Sequence, residues 1–105
     1  METQAADVDM TAFRRDERVA VRGDVRISFG LGQFVEAILV DISRYGLSID
    51  SLQRFGAQTP LRVTFANGET ARARAVWSDE FQDGIVFEQP LDAGRFETLL
   101  STLRG

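Results

Sequence analysis

From Val19 onward, apolar and polar residues alternate. Val19, Val21, Val25, Ile27 and Phe29 fall on odd positions, with Arg22, Asp24 and Arg26 between them. That is the period-2 pattern of a half-buried strand. Gly30-Leu-Gly32 interrupts it, and a second apolar run extends from Phe34 to Ile42. Leu47-Ser-Ile49-Asp50, after Gly46, predicts a short third strand. Leu61, Val63 and Phe65 alternate in a fourth, which Asn67-Gly68 reverses. Asn-Gly tolerates positive φ angles and predicts a tight type I′ hairpin. The returning strand, residues 69–78, sets Ala71, Ala73, Ala75 and Trp77 against Thr70, Arg72, Arg74 and Val76. Small residues on one face suit the interior of a little barrel, where the tryptophan fills the remaining space. Gly84-Ile85-Val-Phe87 supplies a sixth strand.

After Pro90 the period changes. Phe96, Leu99, Leu100 and Leu103 recur at i, i+3, i+4, i+7, one apolar stripe on a helix. Asp92 is placed to cap its start, and Gly105 allows a stop. Residues 1–12 contain Glu2, Asp7 and Asp9 without periodicity and read as a flexible acidic tail. Residues 13–105 read as one domain. Short antiparallel strands in sequence close as a barrel or sandwich, with the helix over one open side. The fold class is therefore mainly β. No repeat or low-complexity segment interrupts this organisation.

A length of 105 residues with 44% hydrophobic content fits a single small core. No apolar run approaches the roughly 20 residues of a membrane-spanning helix. The first residues lack the regions of a signal peptide. The protein reads as soluble and cytoplasmic, without membrane insertion. Composition then narrows the chemistry. Histidine and cysteine are absent, and all 12 basic residues are arginine. The usual general base, thiol catalysis and Cys/His zinc sites are thereby excluded. No catalytic residue, metal site or cofactor is expected, and the chain does not read as an enzyme. A net charge of −4 argues against binding a nucleic-acid polymer, which needs a broad basic surface. The N-terminal arginines 14, 15, 18, 22 and 26 nevertheless outnumber Asp16, Glu17 and Asp24 by two (five against three). A small basic patch suits a small anionic ligand.

Two clusters carry the candidate chemistry. The first is Arg14-Arg15-Asp16-Glu17-Arg18, directly before the first strand. Converging guanidinium groups favour phosphate, carboxylate or a purine edge. Alone, the segment also reads as a solvated charge run. The second is Asp41-Ile42-Ser43-Arg44-Tyr45-Gly46, at the end of the second strand. Asp41 can accept hydrogen bonds there, Ser43 can bond backbone or phosphate, and Gly46 reaches backbone angles others avoid. Alone, it is an ordinary Asx/Ser turn closed by glycine.

Taken together, Arg14-x-x-x-Arg18 and Asp41-x-Ser43-x-x-Gly46 resemble the two-part signature of PilZ domains. The similarity continues through Ala71-Arg-Ala-Arg-Ala-Val-Trp77 and Gly84-Ile-Val-Phe87, and runs from Arg14 to the C-terminal helix. The resemblance implies a six-stranded antiparallel β-barrel with a C-terminal helix, in a stand-alone member of the family. It also implies cyclic di-GMP as ligand, bound by Arg14, Arg15, Arg18, Asp41, Ser43 and Gly46. By resemblance, Arg14 and Arg18 contact guanine edges and phosphates while stacking on the bases, and Asp41 accepts from a guanine Watson–Crick edge. Ser43 and the Gly46 backbone meet phosphate or base. Phe13 stands where a further basic residue goes with a stacked pair of messenger molecules, which points to one molecule per domain. The expected output is a surface, altered by ligand, that engages a downstream partner protein. The alternative is a PilZ-like interaction module that does not bind nucleotide. A nucleic-acid-binding barrel using Arg72 and Arg74 is a third reading, opposed by the acidic charge.

Overall fold

Each alternating segment forms a strand. A computed structural model describes residues 18–104. Six strands, β1 (Val19–Phe29), β2 (Gln33–Ile42), β3 (Gly46–Asp50), β4 (Pro60–Phe65), β5 (Thr70–Ser78) and β6 (Asp83–Phe87), precede the helix α1 (Ala93–Arg104). All neighbouring strands are antiparallel, and they close into a barrel in the order β1-β2-β3-β6-β5-β4. Its interior is filled by Ile27, Leu39, Leu47, Ile49, Val63 and Ile85, each fully buried, with Ala73 and Ala75 as the small residues of β5. The predicted acidic tail, Phe13, Arg14, Arg15 and the Gly105 stop lie outside the described residues. No described helix is long and apolar enough to cross a membrane.

Three bulges decide which side chains face out. In β2, Leu39 pairs with Ile49 but Asp41 pairs with Ser48, so one extra residue sits on β2. Leu39 and Ile42, three apart, both point inward. Asp41, which strict alternation would turn into the core, faces outward instead, a usual consequence of a bulge. β1 carries a similar irregularity between Ala20 and Gly23.

The third bulge corrects the expectation for Trp77. Ala75 pairs with Ile85 and Trp77 with Gly84, which leaves an extra residue on β5. The parity of β5 is reversed beyond it. Ser78, not Trp77, shares a face with the buried Asp83, to which its hydroxyl donates. Trp77 therefore lies outside the barrel, over the Cα of Gly84, where any added Cβ would overlap the indole. Trp77 takes no part in the core.

The β4–β5 connection differs from the predicted type I′ turn as well. The Gly68 amide donates to the Phe65 carbonyl at 2.9 Å, and the Phe65 amide to the Glu69 carbonyl at 2.8 Å. Gly68 has φ +93°, whereas Gln58 is the sole described non-glycine with positive φ. Asn67 is thus not left-handed, as type I′ requires. The loop holds three residues, with glycine in the position that closes such loops.

The helix begins as expected, with Asp92 Oδ1 accepting from the Arg95 amide at 2.7 Å. Leu99 and Leu100 join the core, and Leu103 packs against Gly23 of β1. At the other end of the barrel, residues 51–59 cross from β3 to β4 and insert Phe55, whose ring meets Phe29 edge-on at 5.3 Å. The fully buried Asp83 holds this plug. It accepts from the Phe55 amide at 3.3 Å and from Arg54 Nη1 at 2.8 Å.

Candidate functional site

Antiparallel alternation places the start of β1, the β2–β3 turn and the start of α1 at one end of the barrel. There the outward row Ala20, Asp41, Ser48 runs across β1, β2 and β3. Arg18, just before β1, reaches over this row. Its Nη2 donates to Asp41 Oδ1 and, at 2.9 Å, to Ser48 Oγ. The pair is about three-quarters covered, with side chains 21% and 27% exposed. A carboxylate accepts about four hydrogen bonds, so Arg18 leaves Asp41 capacity for a ligand's N–H donors.

The turn that carries Asp41 is rigidly held. The Ser43 amide donates to the Gly46 carbonyl at 2.8 Å. Ser43 is fully buried, and its Oγ accepts from the Tyr45 amide at 3.1 Å. Gly46 has no room for a side chain, because a Cβ there would overlap the Ile85 carbonyl oxygen. Arg44 ties the turn to the segment before α1: its Nε donates to the Leu91 carbonyl at 2.8 Å, and the Leu91 amide returns a bond to Arg44 at 2.8 Å.

Of the six residues singled out in the sequence, the structure thus brings Arg18 and Asp41 into contact. It puts Ser43 and Gly46 in the turn behind them as buried, turn-forming groups. Arg14 and Arg15 precede the described residues. Ser48 was missed. Its signal, a polar residue between Leu47 and Ile49, gains meaning only through the bulged register that sets it beside Asp41. Arg54 and Asp83 were missed too, but they are at the opposite end and serve the Phe55 plug. Among the described residues there is no His/Cys/Asp/Glu cluster able to hold a metal ion.

The PilZ domain family model matches residues 12–104. Four solved chains also match. One is the crystal structure of the PilZ domain of CeSA from a cellulose-synthesizing bacterium. It aligns with a TM-score of 0.61 over 85% of this chain and 96% of that one, at 14% identity. At that identity the likeness concerns the barrel and trailing helix alone. None of the curated proteins compared matches the chain. The family match spans both arginine and Asp-x-Ser motifs and every strand of the barrel, and the chain belongs to the PilZ domain family.

Proposed function

We propose that this domain binds cyclic di-GMP and acts as a cytoplasmic, non-enzymatic adaptor whose surface changes with the ligand. The observation that carries the reading is the meeting of Arg18 and Asp41 on the outer face, where the arginine segment joins β1. A rigid carboxylate beside a mobilisable guanidinium suits a ligand with two phosphates and two guanines. Asp41 accepts from the N1–H and N2–H donors of a guanine. Arg18, released from Asp41, turns to a phosphate or guanine edge, and Arg14 and Arg15 close from the preceding segment. Ser43 and Gly46 act through the turn they build, presenting backbone at close range. Charge-assisted bonds contribute roughly 1.5–3 kcal/mol each. Four of them, less the cost of ordering, give about −8 kcal/mol, a micromolar affinity. The altered surface then engages a partner protein.

Calorimetric titration of the folded protein with cyclic di-GMP tests this, and absence of heat overturns it. Arg18→Ala and Asp41→Ala are each expected to weaken binding more than tenfold while the thermal midpoint stays nearly constant. An equal loss of folding would give the pair a structural role instead. One observation favours the alternative of an interaction module without nucleotide: Arg18 and Asp41 already pair with each other. The same titration separates the two.

A further inference from the structure

The described residues expose four large apolar side chains, Leu31, Phe34, Leu52 and Phe81. All four lie at the barrel end away from Arg18 and Asp41, on or beside the 30–32, 51–59 and 79–82 connections. Here β2 is unequally covered. On one side it pairs with β1 from Gln33 to Ile42. On the other, β3 reaches it only from Ile38 to Ile42, because the chain leaves the sheet after Asp50. Residues 33–37 keep one edge open, and among the described residues no backbone hydrogen bond from a loop reaches it. β1 has a comparable gap before Val25, where its pairing with β4 begins. That gap is covered, for α1 packs there with Leu103 on Gly23. Open strand edges attract further strands, so folds usually cover them. Among the described residues, no strand or loop backbone pairs with this one.

A hollow lies where the open edge meets the end of β3, lined by Asp24, Glu36, Ala37, Ile38, Asp50 and Leu52. Asp24, Ile38 and Asp50 are direct cross-strand neighbours, so two carboxylates flank one isoleucine. Arg26 neutralises Glu36 at 2.9 Å. Asp24 and Asp50 have no ion-pair partner among the described residues.

We propose that residues 33–37 of β2 form a docking edge for an extended segment of a partner protein, in which basic residues alternate with aliphatic ones. Its backbone extends the sheet where β3 stops. Its basic side chains fall on the outer face, their stems over Phe34 and Ile38 and their charges towards Asp24 and Asp50, and its aliphatic ones turn to the opposite face, continuing the inward row of Val35 and Ala37. Strand addition draws affinity from main-chain bonds and specificity from alternate side chains. Charge decides the occupant. A second copy brings the same carboxylates against themselves, and residues 1–12 of this chain carry Glu2, Asp7 and Asp9. The proposal stands whether or not the domain takes cyclic di-GMP.

The probe is a capped peptide of alternating valine and arginine, about six residues long, a usual strand length, titrated into the isotope-labelled full chain. Amide shifts and slowed exchange are expected at residues 33–38 and 50–52. A peptide with glutamate in place of arginine is expected to give neither. The Asp24→Lys, Asp50→Lys double variant should bind the arginine peptide more than tenfold more weakly, with its remaining spectrum and its cyclic di-GMP titration unchanged. If that variant fails to fold, Asp24→Asn and Asp50→Asn singly replace it, each with a several-fold loss. Equal response to the glutamate peptide, or no shift at residues 33–37, overturns the proposal. Edge shifts that grow with protein concentration alone overturn it too, by assigning the edge to a second copy.

Discussion

At the residue scale, Arg18 and Asp41 set up a competition. The two groups already share a charge-assisted hydrogen bond, so a ligand that uses both exchanges one contact for others instead of filling unsatisfied groups. Asp41→Asn keeps one oxygen that accepts from guanine, sets an amide NH2 against the second guanine donor, and loses most of the attraction for Arg18. Partly exposed ion pairs contribute about 0–1 kcal/mol, whereas a charge-assisted hydrogen bond contributes roughly 1.5–3 kcal/mol. Calorimetry of Asp41→Asn should therefore give a loss of more than tenfold, comparable to that of Asp41→Ala. An asparagine variant within a few-fold of the parent would mean that the two-oxygen contact with guanine is not made. Arg18 and Asp41 were legible because short motifs advertise them. Ser48 was not, since its place beside Asp41 depends on an inserted residue that no local pattern announces. The turn role of Ser43 was legible as chemistry. Gly46 was expected for its backbone angles, yet its φ is not positive, and glycine is required there because the Ile85 carbonyl leaves no space for a Cβ. The burial of the two was not legible, because it comes from β6 and the Leu91 segment packing behind the turn.

At the element scale, apolar patterning identified every strand and the helix, yet period-2 alternation failed where one residue changes the parity. Trp77 is the clearest case. Ala71, Ala73, Ala75 and Trp77 share odd positions, and only the bulge before Trp77 sends the indole outside. The hairpin at Asn67-Gly68 failed for a related reason: the dipeptide fits two turn types, and the pairing of Phe65 with Glu69 selects the longer loop. The placement of Trp77 has a direct optical test, because it is the single tryptophan of the chain. Gly84→Ala puts a methyl where the indole ring lies. Overpacking costs typically about 1–3 kcal/mol, and the relief available is for Trp77 to lift towards water. The variant is expected to show red-shifted fluorescence and a lower thermal midpoint. Unchanged emission would mean that Trp77 does not cover Gly84.

At the scale of the whole molecule, the barrel has two ends with different duties. One holds the Arg18–Asp41 site, backed by the turn and α1; the other is closed by Phe55 and its polar support. Asp83 is fully buried, and its ion-pair partner Arg54 is only partly exposed. Loss of one partner from a buried pair typically costs about 3–5 kcal/mol, because a charge is left without compensation. In a domain of this size 1 kcal/mol moves the midpoint by about 4–8 °C. Arg54→Leu is therefore expected to lower the thermal midpoint by at least about 12 °C. Adding Asp83→Leu removes the stranded carboxylate, so the double variant should lose less than the sum of the singles. The proposed ligand site is at the far end, and the affinity of Arg54→Leu for cyclic di-GMP, measured well below its midpoint, should stay within about twofold of the parent, since distant sites act nearly independently. A large fall in that affinity would show that the plug and the site are coupled through the barrel, and an unchanged midpoint would remove Asp83 from the support of Phe55.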